Sequence, residues 1–214
     1  MLRSRSAQPS RRAVLHVRAA DDPPVPTGLA AWYTERAFHF YLAGLRLPAL
    51  APVGARPGAR YLSVAYADLD AACAHLRQAD GIASIIVSAQ GRGAVAAALW
   101  RHERADVADA LILHAPRLPA GVSLTLDVDC PVLVLADAAD EPVPQARRRW
   151  PARPRQTGAG DQAGLQLGGH VTWLRLPPAD DDTGAAASSQ PGLLDELGRW
   201  LGAYMYGGAR DQLL

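Results

Sequence analysis

Short apolar runs alternate with segments of helical pattern along most of this chain, and that alternation restricts the fold more than any other feature of the sequence. The clearest runs are Ala13–Val17, Phe38–Leu42, Ile82–Val87, Ala110–Leu113, Val132–Leu135 and Val171–Leu176. They are nearly continuous in apolar residues, as strands are when both of their faces are covered. Between them, Leu69, Ala72, Cys73 and Leu76 recur at helical spacing within 68–78, the stretch 94–101 is alanine-rich, and Leu194, Leu197, Leu201 and Tyr204 form a stripe within 193–204. This succession predicts an α/β fold, a mostly parallel sheet of about six strands with helices on both faces. Length and composition (214 residues, 49% hydrophobic) suit one core, so one domain is expected over 13–206, with a basic, disorder-prone N-terminus over 1–12 and a tail over 207–214. Residues 51–60 and 180–189 read as loops, and 147–169 as a loop or a short, poor helix.

Composition removes several kinds of chemistry. Lysine and asparagine are absent and all 22 basic residues are arginines, which excludes a lysine Schiff base, a P-loop lysine and a Cys-His-Asn nucleophile. A formal charge of +1 gives no field that would gather nucleic acid or an anionic membrane, so neither is expected as a partner. Cys73 and Cys130 lie far apart and read as small buried hydrophobes; no metal site and no cofactor are expected. No apolar segment is long enough to cross a bilayer and the arginine-rich start lacks a signal-peptide core, so the expected location is cytoplasmic.

The segment most telling of function is Gly81–Leu99, GIASIIVSAQGRGAVAAAL: an apolar strand, a tight turn of small residues and an alanine-rich helix. It resembles the strand-elbow-helix of the α/β-hydrolases, with Ser88-Ala89-Gln90-Gly91-Arg92-Gly93 over the pattern G-x-S-x-G-G. The register puts Gln90 where the pattern has its nucleophile, and Ser88 and Arg92 where it has glycines. Ala13-Val14-Leu15-His16 is similar to the strand entering the family's oxyanion loop, although Val17 stands where the loop has glycine. Cys130–Pro144, CPVLVLADAADEPVP, is similar to the segment carrying the family's acid, and Asp140 matches that position. The loop after the last strand, Pro177–Asp182, has no histidine, and the connection between the fourth and fifth strands is too short for a lid domain.

The resemblance thus implies an α/β-hydrolase-like protein without an intact Ser-His-Asp triad, because an amide can form no acyl-enzyme. Its first functional expectation is a non-hydrolytic binding or accessory protein. The alternative is a hydrolase or lyase acting on a small ester, thioester or carbonyl substrate by non-covalent acid/base chemistry, with His16 or His114 as base. His16, Gln90, Gly91, His114 and Asp140 are the residues expected to line a small-molecule pocket where the chain crosses over. Each has a plainer reading: Asp140 as a turn carboxylate, Gln90 as filler of the vacated position, the two histidines as core side chains bonded to backbone. The run Arg147–Arg149 reads as a solvated face or an anion contact, and the C-terminal helix with Met205 and Tyr206 as a contact for a second copy or another protein.

Overall fold

Every one of the six apolar runs becomes a strand of a single sheet. The computed structural model describes residues 1–47, 59–118, 124–136, 165–175 and 193–207. Its elements in chain order are β1 (Leu2–Ser4), β2 (Arg12–Ala19), α1 (Leu29–Glu35), β3 (His39–Leu45), α2 (Ala59–Gln78), β4 (Ser84–Gln90), α3 (Gly91–Glu103), β5 (Ala110–His114), β6 (Leu124–Ala136), β7 (Leu165–Arg175) and α4 (Leu193–Gly207). The sheet order is β1-β3-β2-β4-β5-β6-β7, parallel throughout except that β1 runs antiparallel to β3. The α/β class read from the sequence is the one observed.

Strand side chains alternate between two buried layers, as the period of two requires. Leu15, Val17, Ile85, Val87, Leu111, Leu113, Val132 and Val134 pack with α2 and α3 on one face. Val14, Phe40, Ile86, Ile112, Leu133 and Leu135 meet Leu29, Trp32 and Tyr33 of α1 and Leu193, Leu197 and Leu201 of α4 on the other. The α4 stripe therefore runs through Leu193 rather than Leu194, which is only partly buried. Alanine at 94, 96, 97 and 98, all buried, lets α3 lie close to the sheet, and the indole nitrogen of the buried Trp100 donates to Asp70 of α2 at 2.8 Å. Cys73 and Cys130 are free and buried.

Three elements depart from the sequence expectation. Residues 1–12 do not lie outside the fold: Leu2 pairs with Leu42 and Ser4 with Phe40, and Arg3 bonds Asp80 at 2.8 Å. A strand of three exposed residues carries no apolar run to betray it. α1 has seven residues, two helical turns, too few for a periodic signal. α2 starts at Ala59, nine residues before Asp68, because the proline and glycine preceding it mask a stripe through Ala65, Leu69, Cys73 and Leu76.

Asp80 is the anchor of the β1 edge, since it takes bonds from Arg3 and from the hydroxyl of Tyr41, the latter at 2.9 Å. Asp80→Ala is expected to raise amide exchange at residues 2–4 and to cost about 1–2 kcal/mol, chiefly by orphaning the Tyr41 hydroxyl. Hydrogen exchange and urea unfolding check this; unchanged protection at the edge would refute the anchoring role.

Candidate functional site

The crossovers leaving β2 and β4 diverge, β2 to its neighbour β3 and β4 to β5 on the other side, which makes the carboxyl ends of this central pair the switch point where α/β sheets hold their sites. No loop separates β4 from α3: Gln90 ends the strand and Gly91 begins the helix. Gln90 is extended (φ −122°, ψ 148°), whereas Gly91 takes the left-handed φ of +55°. The apex of the bend is therefore Gly91, one residue later than the alignment to G-x-S-x-G-G expects. The sequence could not fix this register, because either position leaves small residues around the turn. Gln90 sits at the helix N-cap without capping it, and its Oε1 is buried with no partner.

A carboxylate occupies the space above that apex. Asp22, 6% exposed and carried by the segment after β2, accepts hydrogen bonds from the backbone N–H of Ala19 at 2.7 Å, of Arg92 at 3.1 Å and of Gly93 at 3.4 Å. It thus satisfies amides that a helix start leaves open and neutralises the positive end of the α3 dipole. A Cβ added to Gly91 would collide with Asp22 Oδ1 and lie 2.8 Å from its Cγ. The arrangement is locked from outside: Arg18 donates to the Asp22 carbonyl at 2.6 Å, and Arg92 donates to the Asp21 carboxylate at 2.5 Å. The Arg92 guanidinium holds Asp21 below the usual carboxylate range. Sequence reading passed over the Asp21-Asp22-Pro23-Pro24 stretch; its signal was an acid directly following a strand at the switch-point edge.

On the α1/α4 side of the same edge lies a second polar group. The register sets His16 beside Ser88 and Gln90 beside His114. Ser88 Oγ is 3.0 Å from His16 Nδ1 and 3.2 Å from His114 Nε2, and all three residues are buried. A hydroxyl has one proton for two imidazoles, so the tautomers are coupled. His16 Nε2 is buried without a partner, and an orphaned lone pair costs less than an orphaned N–H. The proton of His16 therefore sits on Nδ1 and points at Ser88, which in turn donates to His114. Ser88 thus accepts from one imidazole and donates to the other, and at 0% exposed its hydroxyl is out of reach of a substrate.

Of the residues expected at the site, the structure brings together His16, Gln90, Gly91 and His114; Asp140 lies outside the described residues, as do 177–182, Arg147–Arg149 and the end of the tail after Gly207. His170 is an exposed residue within β7 rather than ahead of the last strand. Two grooves lined by described residues, one including His39 and the other Phe38, are at the opposite, amino-terminal edge of the sheet. No helix among the described residues is long and apolar enough to cross a membrane.

No family model matches the sequence, and no curated protein does so either. Solved structures are similar over nearly the whole chain. A dienelactone hydrolase from Anabaena variabilis shares 14% identity at a TM-score of 0.55, with 96% of this chain and 89% of that one covered. The fold is that of the α/β-hydrolases. A carboxylesterase from Bacillus cereus (10% identity, TM-score 0.53, 93% and 91% covered) and Est1E from Butyrivibrio proteoclasticus (11%, 0.53, 94% and 89%) have the same α/β-hydrolase architecture. At these identities the likeness is one of fold.

The buried pair of imidazoles makes this α/β-hydrolase fold acid-sensitive. Burial pushes His114 down from 6.5 to about 4; burial, with His114 and Arg18 adding to it, pushes His16 down to about 3. Both stay neutral when folded but take up protons near pH 6.5 when unfolded. Their contribution to stability is complete above that pH and is lost as pH falls from 6.5 towards 4. The slope approaches two protons, roughly 2.7 kcal/mol per pH unit. Urea unfolding at pH 7, 6 and 5 measures it; equal stability at pH 7 and 5 contradicts neutral burial of the pair.

Proposed function

We propose that this chain is an α/β-hydrolase-fold protein that forms no acyl-enzyme and acts as a non-hydrolytic binding or accessory protein. The observation that carries the reading is the side chain missing at the elbow apex and the Asp22 carboxylate standing in its place. In this fold the nucleophile projects from the strained residue between strand and helix. With Gly91 as that residue, Ala89 and Gly93 fall on the flanking small positions of G-x-S-x-G, a better match than the register centred on Gln90. A tetrahedral oxyanion would also compete for amides at the α3 start that already hold a negative charge. The second expectation, acid/base chemistry by His16 or His114, gains no support from imidazoles that are 1% and 8% exposed and directed at Ser88.

A serine-reactive fluorophosphonate and a panel of activated esters and thioesters are expected to give no labelling and no turnover above background. Labelling that maps to one serine would overturn the reading. Gly91→Ser should not restore reactivity, because its Cβ meets Asp22 and its left-handed φ is strained for a serine; a loss of about 2–4 kcal/mol is expected by urea unfolding. A stable Gly91→Ser protein that becomes labelled at the substituted position shows instead that the elbow is competent and only its nucleophile is gone.

A further inference from the structure

We propose that α1 and α4 form an acid-releasable cover on the sheet: when His16 and His114 take up protons this layer leaves, while the strands, α2 and α3 keep their structure. The inference concerns the packing of one face and does not depend on how the elbow is read.

The two faces of the sheet differ in how their polar groups are met. On the α2/α3 side, Trp100 Nε1 donates to Asp70 at 2.8 Å, the Tyr66 hydroxyl to Glu103 at 3.1 Å and the Tyr41 hydroxyl to Asp80 at 2.9 Å. Directional bonds also tie α3 to the strands. Asp22 accepts from its first amides, and the buried Arg101 donates to the Ala108 carbonyl at 3.1 Å and pairs with Asp129 at 2.7 Å. On the α1/α4 side the Tyr33 hydroxyl, 0% exposed, has no partner, and neither has His16 Nε2. Water would satisfy both atoms once the layer opened, so the closed state carries an unmet cost on this face.

The elements of this face are linked to one another and to the imidazoles. Gly198 of α4 faces the Trp32 ring of α1, where an added Cβ would stand 3.5 Å from it. Tyr33 of α1 stacks on Phe40 of β3 with 5.8 Å between centroids, and Phe40 stacks in turn on His16 at 6.0 Å. α4 is seated through Leu193, Leu197 and Leu201. A charge on either histidine sits beneath these side chains, and lifting two helices lets water reach it with less disruption than separating hydrogen-bonded strands.

Nothing on the covering helices compensates such a charge. Besides burial, the groups that act on His16 are His114 and, from β2, Arg18, and both oppose its protonation; His114 responds to burial alone. Glu35 of α1 and Asp195, Glu196 and Arg199 of α4 are exposed or half-exposed and offer the imidazoles no counter-charge. Because both histidines are neutral in the closed layer, closure is favoured above the ordinary histidine range and is lost as pH falls from 6.5 towards 4.

Hydrogen exchange read by mass spectrometry on the full chain at pH 7 and pH 4.5, corrected for the pH dependence of exchange chemistry, tests the proposal. Protection in α1 (29–35) and α4 (193–204) is expected to fall at least about tenfold more than in α3 (91–103). His114→Gln, which takes up no proton, should move the loss in α4 down by at least about half a pH unit. His75→Gln, at a half-exposed histidine of α2, should leave it in place. Equal losses in α3 and α4, unchanged α4 protection at pH 4.5, or an α4 midpoint unmoved by His114→Gln overturns the proposal. Should His114→Gln fail to fold, the comparison of α4 with α3 in the wild type decides alone.

Discussion

The Asp22 carboxylate joins the end of β2 to the start of α3, and the geometry of the elbow depends on that joint. A helix that begins without a loop after a strand exposes its first amides at the sheet edge, and something must accept from them. Gln90, at the N-cap position, makes no capping bond. Asp22 supplies the acceptor from a separate segment, and it reaches the amides only because Gly91 has no side chain. The glycine and the aspartate are therefore one device: a side chain at residue 91 and a carboxylate at Asp22 cannot occupy that volume together.

The same edge shows how a sheet buried on both faces disposes of polar groups. His16, Ser88 and His114 point to the α1/α4 side, where their neighbours on the strands are Val14, Ile86 and Ile112. Two hydrogen bonds link them to one another while His16 Nε2 is left without a partner, and the cost of keeping three polar side chains in that layer is offset only while both imidazoles are neutral. A serine and histidine in contact therefore do not amount to a catalytic pair. What separates the two cases is access, and Ser88 at 0% exposed has none.

Much of the fold was legible in the sequence, because parallel strands buried on both faces must be apolar runs and α3 must be small-residue-rich to pack closely. The parts that escaped are those whose stability comes from elsewhere: β1, held by Asp80, and α1, too short to show a period. At the carboxyl edge, His16, Gln90 and His114 each end or nearly end a strand and Gly91 opens the helix after one, a placement that the apolar runs before them made readable. Sequence reading missed the apex by one residue, because backbone dihedrals and not residue types decide which position is left-handed. It missed Asp22 altogether, because a loop acid acquires its role from amides seventy residues away.

These features set the two ends of the sheet apart. At the carboxyl end, where the fold generally places its chemistry, the described volume is filled by the chain's own groups: a carboxylate on the amides and a serine between imidazoles. At the amino end, Arg12 and Arg36 rest on aromatic rings beside a helix face opened by two glycines. α4 lies along the α1/α4 face, with Leu193, Leu197 and Leu201 all pressed into the layer that contains Leu135 near one end of the strands and Phe38 at the other. Seating α4 through these leucines fixes where its glycines at 198 and 202 fall, so a substitution that moved the leucine stripe would move that face with it.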